Sequence, residues 1–112
     1  MSEKMPRIGD LKPYARARLS FLLRTQQDLY AEMLIDGTLM EHLNQVQETC
    51  ELMEQQAMDA KQQELQKTEL WGHDILACAG LIENARQTAK QQAMREIVMP
   101  EPVDEFSSYI SL

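Results

Sequence analysis

The sequence has 112 residues, with 18 acidic and 11 basic side chains and a formal net charge of −7. A chain of this length forms at most one domain, and its few glycines, prolines and aromatic residues favour helices over a β-sandwich or barrel. No apolar run approaches the ~18 residues of a membrane span, and residues 1–6 lack the apolar stretch of a secretory signal. We therefore predict an all-α protein that is cytoplasmic and has no membrane partner.

The first predicted helix spans about residues 13–35. Pro13 suits the first helical position, where its missing N–H costs nothing, and Gly37 suits the left-handed cap that ends a helix. Between them, apolar residues recur at steps of three and four. They are Leu19, Leu22, Leu23, Leu29, Tyr30, Met33 and Leu34.

The second predicted helix spans about residues 38–67. Thr38 and Glu41 fit a capping box, in which each side chain binds the backbone N–H of the other residue. A heptad-like apolar seam follows. It consists of Leu39, Leu43, Val46, Cys50, Met53, Ala57 and Ala60. Because Gly37 and Thr38 leave so short a connection, the first two helices should be antiparallel neighbours.

The third predicted helix spans about residues 69–99, with Thr68 and Glu69 as its start and Pro100 as its stop. Trp71 opens its apolar stripe, and Gly72 favours a kink nearby. The two long helices can return along each other. We therefore predict an elongated three-helix bundle, in which the short helix 1 packs on an antiparallel hairpin of helices 2 and 3.

The predicted organisation has three parts. Residues 1–12 form a flexible basic N-terminus, residues 13–99 a single helical domain, and residues 100–112 an acidic, loosely ordered tail. The seam of helix 2 outruns helix 1 and must be covered by helix 3 or by a second chain. A homodimer is therefore one expectation.

Charge is unevenly distributed along the chain. Residues 1–30 hold six basic and three acidic side chains, whereas residues 31–65 hold eight acidic side chains and only Lys61 as a base. Residues 66–112 carry a net charge of −3. The basic start could contact phosphates, and the acidic middle would repel them.

Several motifs resemble the TnpV family of small proteins encoded on transposons and conjugative elements of Gram-positive bacteria. Residues 14–19 match its Tyr-x-Arg-x-Arg start, and residues 29–43 match its Leu-Tyr to His-Leu corner. Trp71 and the stretch from residue 83 to residue 98 resemble the tryptophan and the carboxyl-terminal motif of the family, less closely than the first half does. Asp36 stands where the family usually has serine, and the spacing from tryptophan to arginine is longer by about two helical turns. The resemblance implies a small helical fold and a mobile-element context, and it supplies no active site.

The residues themselves offer little chemistry. His42 and His73 have no second histidine or cysteine within a helical turn, and packing or capping roles fit them better than metal binding. Cys50 and Cys78 lie on apolar stripes, where free cysteine packs as a small hydrophobe. There is no phosphate loop and no catalytic constellation. We predict a protein that is not an enzyme and needs no cofactor or metal.

Two charged faces are candidate partner sites, although either could simply be solvated. The acidic face of helix 2 comprises Glu41, Glu48, Glu51, Glu54 and Glu64. The basic face of helix 1 comprises Lys12, Tyr14, Arg16, Arg18 and Arg24. The acidic face would suit a basic channel of another protein.

Three functions are compatible with these patterns. The favoured one is a mobile-element accessory protein that binds a protein or nucleoprotein partner, such as a recombinase or host factor, through its helical faces. The first alternative is an inhibitor of a host defence nuclease, of the anti-CRISPR kind, whose acidic face blocks nucleic-acid loading. The second is a DNA-binding regulator that uses the basic helix 1. Direct nucleic-acid binding is the weaker expectation because the neighbouring acidic helix would repel a duplex.

Overall fold

The computed structural model describes residues 10–100, and within this range it contains only helices, turns and loops. The four α-helices are α1 (Pro13–Thr25), α2 (Gln27–Asp36), α3 (Leu39–Gln66) and α4 (Ile75–Ala93). α4 continues into a π-helical segment, Met94–Val98. The predicted all-α class is confirmed. Most of the predicted N-terminal region and nearly all of the predicted tail lie outside the described residues.

The first predicted helix is divided into α1 and α2. Gln26 separates them with φ −137° and ψ 60°, which is far from helical geometry. None of the residues of α2 is buried, but Leu29, Tyr30, Met33 and Leu34 pack against the core from its edge. The break turns the chain so that this second apolar stripe meets the same core as α1.

The corner between α2 and α3 is closed by glycine. Gly37 has φ 78°, its N–H donates to the Leu34 carbonyl, and the Thr38 N–H donates to the Met33 carbonyl at 3.0 Å. This pairing is a Schellman cap. The predicted capping box is wrong, because the Thr38 side chain makes no capping hydrogen bond. Thr38 has φ −104° and ψ 3°, outside the extended conformation that an N-cap side chain requires.

α3 and α4 form an antiparallel hairpin. Cys50 shares a buried cluster with Ala93, and Glu54 pairs with Arg86, so rising numbers on α3 meet falling numbers on α4. α4 begins at Ile75, six residues later than predicted.

The turn between these helices explains the later start. The Asp74 carboxylate caps α4 by accepting from the Ala77 N–H at 3.0 Å. The Thr68 hydroxyl instead donates to the Leu65 carbonyl at 2.7 Å and so closes the end of α3. Gly72 has φ 87° in this turn. The predicted helix start at Thr68 and Glu69 is therefore wrong.

Most of the buried core of residues 10–100 lies in two clusters at one end of the hairpin. The first joins α1 to the start of α3 through Leu11, Ala15, Leu19, Leu22, Leu39 and Leu43. The second joins α1, α3 and the π-helical segment through Tyr14, Val46, Cys50, Ala93 and Val98. The Cα atoms span 55 × 48 × 17 Å, so the fold is flat and its far end has little depth in which to bury side chains. No helix within residues 10–100 has the length and hydropathy needed to cross a bilayer.

Candidate functional site

Two of the residues predicted as binding sites, Tyr14 and Arg18, are buried in one region. We call the meeting point of α1, the first half of α3 and the π-helical segment the junction. Arg18 lies there, 8% exposed. Its Nη1 donates to the Val98 carbonyl at 2.9 Å, its Nε donates to His42 Nε2 at 3.1 Å, and its guanidinium lies 5.4 Å from the centre of the Phe21 ring. Arg18 thus caps the carboxyl end of the last helix, where carbonyls lack helical partners.

His42 is the acceptor in this arrangement, so its Nε2 carries no proton. Burial lowers the pKa of His42, and the nearby charge of Arg18 lowers it further. Burial also lowers the pKa of Arg18. The neutral imidazole is therefore a structural acceptor, as the packing interpretation of His42 predicted.

Gln47 is a second buried polar group at the junction, 6% exposed. Its Oε1 accepts from the Ala15 N–H at 2.9 Å, and its Nε2 donates to Glu51 Oε2 at 2.8 Å. Ala15 is the third residue of α1, and Lys12 before the helix makes no side-chain cap. A residue of α3 therefore supplies the N-terminal cap that α1 lacks locally.

A chain of charged contacts links the junction to α4. The Tyr14 hydroxyl donates a short hydrogen bond to Glu54 Oε2, and Arg86 Nη1 donates to Glu54 Oε1 at 3.1 Å. Arg86 also donates two hydrogen bonds to Glu83, from Nε at 3.0 Å and from Nη2 at 2.6 Å. These hydrogen bonds lower the pKa of Glu83 to about 2 and raise the pKa of Arg86. Burial and the bond to Glu54 raise the pKa of Tyr14, which therefore stays protonated.

The acidic residues predicted as one face separate into different environments. Glu54 is partly buried and paired, and Glu64 is paired with Lys61 at 3.0 Å. Glu51 lies 4.0 Å from Lys12, and its side chain is 49% exposed. Only Glu41 and Glu48 of the predicted five are exposed without an ion pair among residues 10–100.

A narrower acidic surface remains on the side of α3 that faces away from the core. Glu41, Glu48 and Asp59 are exposed there, with Leu52 between them at 56% exposure. Steps of 7 and 11 residues keep the three carboxylates on one side of a helix. We call these four residues the outer face of α3. Sequence reasoning omitted Asp59 and Leu52, although their spacing from Glu41 and Glu48 was visible.

The predicted basic face is divided in a similar way. Tyr14 and Arg18 are buried at the junction, and therefore neither is available to a partner. Lys12, Arg16 and Arg24 stay exposed. The Arg16 guanidinium donates to the Leu11 carbonyl at 2.9 Å.

The burial of Arg18 and Glu54 could have been noticed in the sequence. Arg18 follows Tyr14 by four residues and precedes Phe21 by three, which places it on the apolar side of α1. Glu54 follows Cys50 by four residues and lies beside the apolar seam. A charge on an apolar stripe indicates a buried partner.

A further region, which contains none of the predicted site residues, is the far end of the hairpin, and we call it the tip. It comprises the turn of residues 67–74 and the first turns of α4. An open groove of about 400 Å³ lies there. The groove is lined by Trp71, Gly72, Ile75, Cys78, Ala79 and Ile82. Sequence analysis placed Trp71 at the start of a helical apolar stripe, whereas Trp71 lies in the turn before α4 and is 38% exposed, and Ile75 is 76% exposed.

The two cysteine side chains lie in packed, structural surroundings. Cys50 and Cys78 are free and buried, and burial together with Glu54 and Glu51 raises the pKa of Cys50 to about 11. A protonated buried thiol is a poor nucleophile. Within residues 10–100 no group of three or more His, Cys, Asp or Glu side chains could hold a metal ion.

The fold and these surfaces define a small all-α protein with a polar junction at one end of a helical hairpin. The chain belongs to the TnpV family, described as transposon-encoded protein TnpV, whose pattern matches residues 2–98. The comparisons with curated proteins and with solved structures give no match. The family resemblance noted in the sequence is thereby confirmed, and the chain is a transposon-associated protein.

Proposed function

We propose that this protein is a non-enzymatic accessory protein of a mobile element, which binds a basic protein partner through the outer face of α3. The observation that carries the proposal is the exposure of Glu41, Glu48 and Asp59 on one side of a helix, without ion pairs among residues 10–100. Most other acids of α3 are neutralised within the chain. The outer face is therefore available to positive charge from outside.

The shape of the outer face supports a protein partner. Glu41 and Asp59 are 18 residues apart, which is ~27 Å along a helix. Leu52 lies between them and is 56% exposed. An exposed apolar side chain flanked by like charges provides burial at the centre of an interface and electrostatic selection at its rim.

The assignment as non-enzymatic rests on how the titratable groups are used. His42 accepts from Arg18, Glu54 bridges Tyr14 and Arg86, and Cys50 is held as a protonated thiol. Each perturbed pKa has a structural cause in the packing of helices. A catalytic group would instead need access to a substrate in a cleft.

A narrower form of the proposal concerns the kind of partner. A row of carboxylates can occupy a channel that otherwise holds nucleic acid, and the partner would then be a nuclease of host defence. The spacing of Glu41, Glu48 and Asp59 along one exposed side supports this form as well. Competition between the protein and nucleic acid for the same partner separates it from a general accessory role.

The test compares two triple variants that each remove three negative charges. Glu41→Gln, Glu48→Gln and Asp59→Asn neutralise the outer face. Asp28→Asn, Glu32→Gln and Asp36→Asn, all at exposed positions, are the matched control. A partner captured from the host with the wild-type chain should be lost with the first variant and retained with the second, and its binding should weaken with rising salt.

Two results would contradict the proposal. Equal capture of the partner by both variants would show that the outer face is only a solvated surface. Binding to duplex DNA that is lost on Arg16→Gln and Arg24→Gln would favour the DNA-binding regulator instead. A mobility shift at moderate salt measures this second result.

A further inference from the structure

A second groove lies on α4 and the π-helical segment, at the end of the hairpin that holds the junction. It has a volume of about 460 Å³. Most of its lining comes from positions three and four residues apart, which lie on one side of a helix. The lining residues are Gln87, Lys90, Gln91, Met94, Arg95 and Met99. We call it the basic groove.

Two methionines are the partly buried part of this lining. Met94 and Met99 pack against the second core cluster, so the core holds them in place. The Arg24 guanidinium of α1 reaches the same point, because its Nη2 donates to Met99 Sδ at 3.8 Å. A thioether is apolar and polarisable, and it makes favourable contacts with aromatic rings. The floor of the groove therefore suits an aromatic side chain.

Three cations surround the basic groove without a counterion in the described chain. Lys90 and Arg95 line it, Arg24 contacts its floor, and all three are exposed. None of them forms an ion pair among residues 10–100. The neighbouring Glu96 does not line the groove, and its carboxylate accepts a hydrogen bond at 3.3 Å from a glutamine of α4. The groove is therefore a positive site on a chain whose net charge is −7.

The sequence that follows the groove carries the opposite charge. Residues 101–106, which we call the acidic segment, read Glu-Pro-Val-Asp-Glu-Phe. The segment has three acids, one aromatic ring and no base, and no Lys or Arg occurs up to residue 112. Its carboxylates complement the three cations, and the Phe106 ring complements the methionine floor.

The length and attachment of the acidic segment also fit the groove. From Met99 back to Gln87 the helix extends ~18 Å, and six extended residues span up to ~20 Å. Pro102 favours an extended conformation at the residue before it. Because the segment is attached one residue beyond Met99 and Pro100, its effective concentration at the groove is on the order of millimolar. An acidic peptide from another protein would have to displace it.

We propose that the acidic segment binds back along the basic groove, with its carboxylates beside the three cations and the Phe106 ring on the methionine floor. While bound, the segment removes three positive charges from the surface that a partner meets. The tip is also within reach of residues 101–112, which span ~40 Å when extended, but the lining of its groove offers them no cation. The inference uses no residue of the outer face of α3, so it does not depend on the partner proposed above.

The experiment measures backbone order parameters by NMR on the ¹⁵N-labelled full chain at low salt. We expect values above about 0.6 at the amides of residues 104–106, and contacts between the Phe106 ring and the methionine methyl groups of the floor. Lys90→Gln combined with Arg95→Gln should lower these values below about 0.6 and remove the ring contacts. Salt at about 0.5 M should act in the same direction, because it screens exposed ion pairs.

Arg16→Gln combined with Lys67→Gln is the matched control, because both are exposed cations that lie outside the basic groove and form no ion pair among residues 10–100. It should leave the order parameters of the acidic segment unchanged. All the substituted positions are exposed, so both double variants should fold, and the amide spectrum of residues 10–100 checks this.

Order parameters below about 0.6 at residues 104–106 of the wild type would overturn the proposal, since they would match the loosely ordered tail that the sequence predicts. Unchanged values in the Lys90 and Arg95 double variant would also overturn it. Contacts of the Phe106 ring with Trp71 would place the segment at the tip and would overturn it as well.

Discussion

The junction and the tip lie at opposite ends of the same helical hairpin and differ in how completely they bury their side chains. At the junction, α1 covers α3, and buried polar groups such as Arg18 and Gln47 all have hydrogen-bond partners. Among residues 10–100 no third helix lies over the hairpin at the tip, and Ile75 and Leu76 are exposed. Two paired helices without a covering layer cannot bury both sides of their apolar stripes. The junction is therefore well packed, whereas the tip leaves large apolar side chains exposed.

The largest expected effect tests whether stability is concentrated at the junction. Leu43 is 0% exposed in the first cluster, and Leu43→Ala should reduce the free energy of unfolding by about 3 kcal/mol. Leu76→Ala at the tip should change it by less than about 0.5 kcal/mol, because Leu76 is already in water. Urea unfolding measured where the chain is monomeric compares the two. Equal losses would show that both ends share the stability.

The second prediction concerns the buried guanidinium. Arg18→Met keeps the apolar stem but leaves the Val98 carbonyl and His42 Nε2 without their donor, and it should cost about 2 kcal/mol. Arg16→Met, at an exposed position of the same helix, should be nearly neutral. Thermal unfolding of the two variants distinguishes them. If both were neutral, the Arg18 contacts would contribute no net stability.

Alanine substitutions at two glycines near the tip should change the stability of the protein in opposite directions. A Cβ at Gly80 meets nothing within 4 Å, and alanine favours the helix, so Gly80→Ala should stabilise the protein by up to about 1 kcal/mol. Gly72 also has open space, but its φ of 87° is left-handed. Gly72→Ala should therefore destabilise the protein by about 1–2 kcal/mol. Stabilisation by both substitutions would mean that the turn does not hold this conformation.

The smallest expected effect is a pH dependence at the junction. The folded protein lowers the pKa of His42 below its usual 6.5, so the unfolded chain binds the proton more readily. Stability is fully present above pH 6.5 and falls as the pH decreases toward the lower folded pKa. Unfolding free energies between pH 7.5 and 5.5 should show this slope. His42→Gln should flatten it, and a slope that survives in this variant would have another origin.

Local sequence signals predicted the helices better than their ends. Gly37 was identified correctly because a left-handed cap depends on one residue, and the apolar seam of α3 follows from its spacing. The break at Gln26 was missed, because no proline or glycine marks it and it arises from packing α2 onto the core made by α1 and α3. Thr38 carries a capping motif that its backbone conformation does not use.

In the candidate site, burial and exposure were predictable from helical position, whereas the partners of the buried charges were not. Glu41 and Glu48 lie opposite the seam and are exposed as expected. Glu54 and Arg18 are charged residues whose partners lie 32 and 80 residues away, and no local pattern identifies such partners. Long-range ion pairs and caps depend on which helices meet, which periodicity alone does not determine.

The hydrogen bond from Arg18 to Val98 also has a consequence for the order of folding during synthesis. Its two residues are 80 positions apart, and a ribosome adding ~5–20 residues per second needs roughly 4–16 s to make the chain between them. The leucines of the first cluster are all made by residue 43, so that cluster can assemble early. The second cluster must wait for Ala93 and Val98. Until the last helix emerges, the nascent chain therefore leaves the Arg18 guanidinium without the Val98 carbonyl that accepts its hydrogen bond in the folded protein.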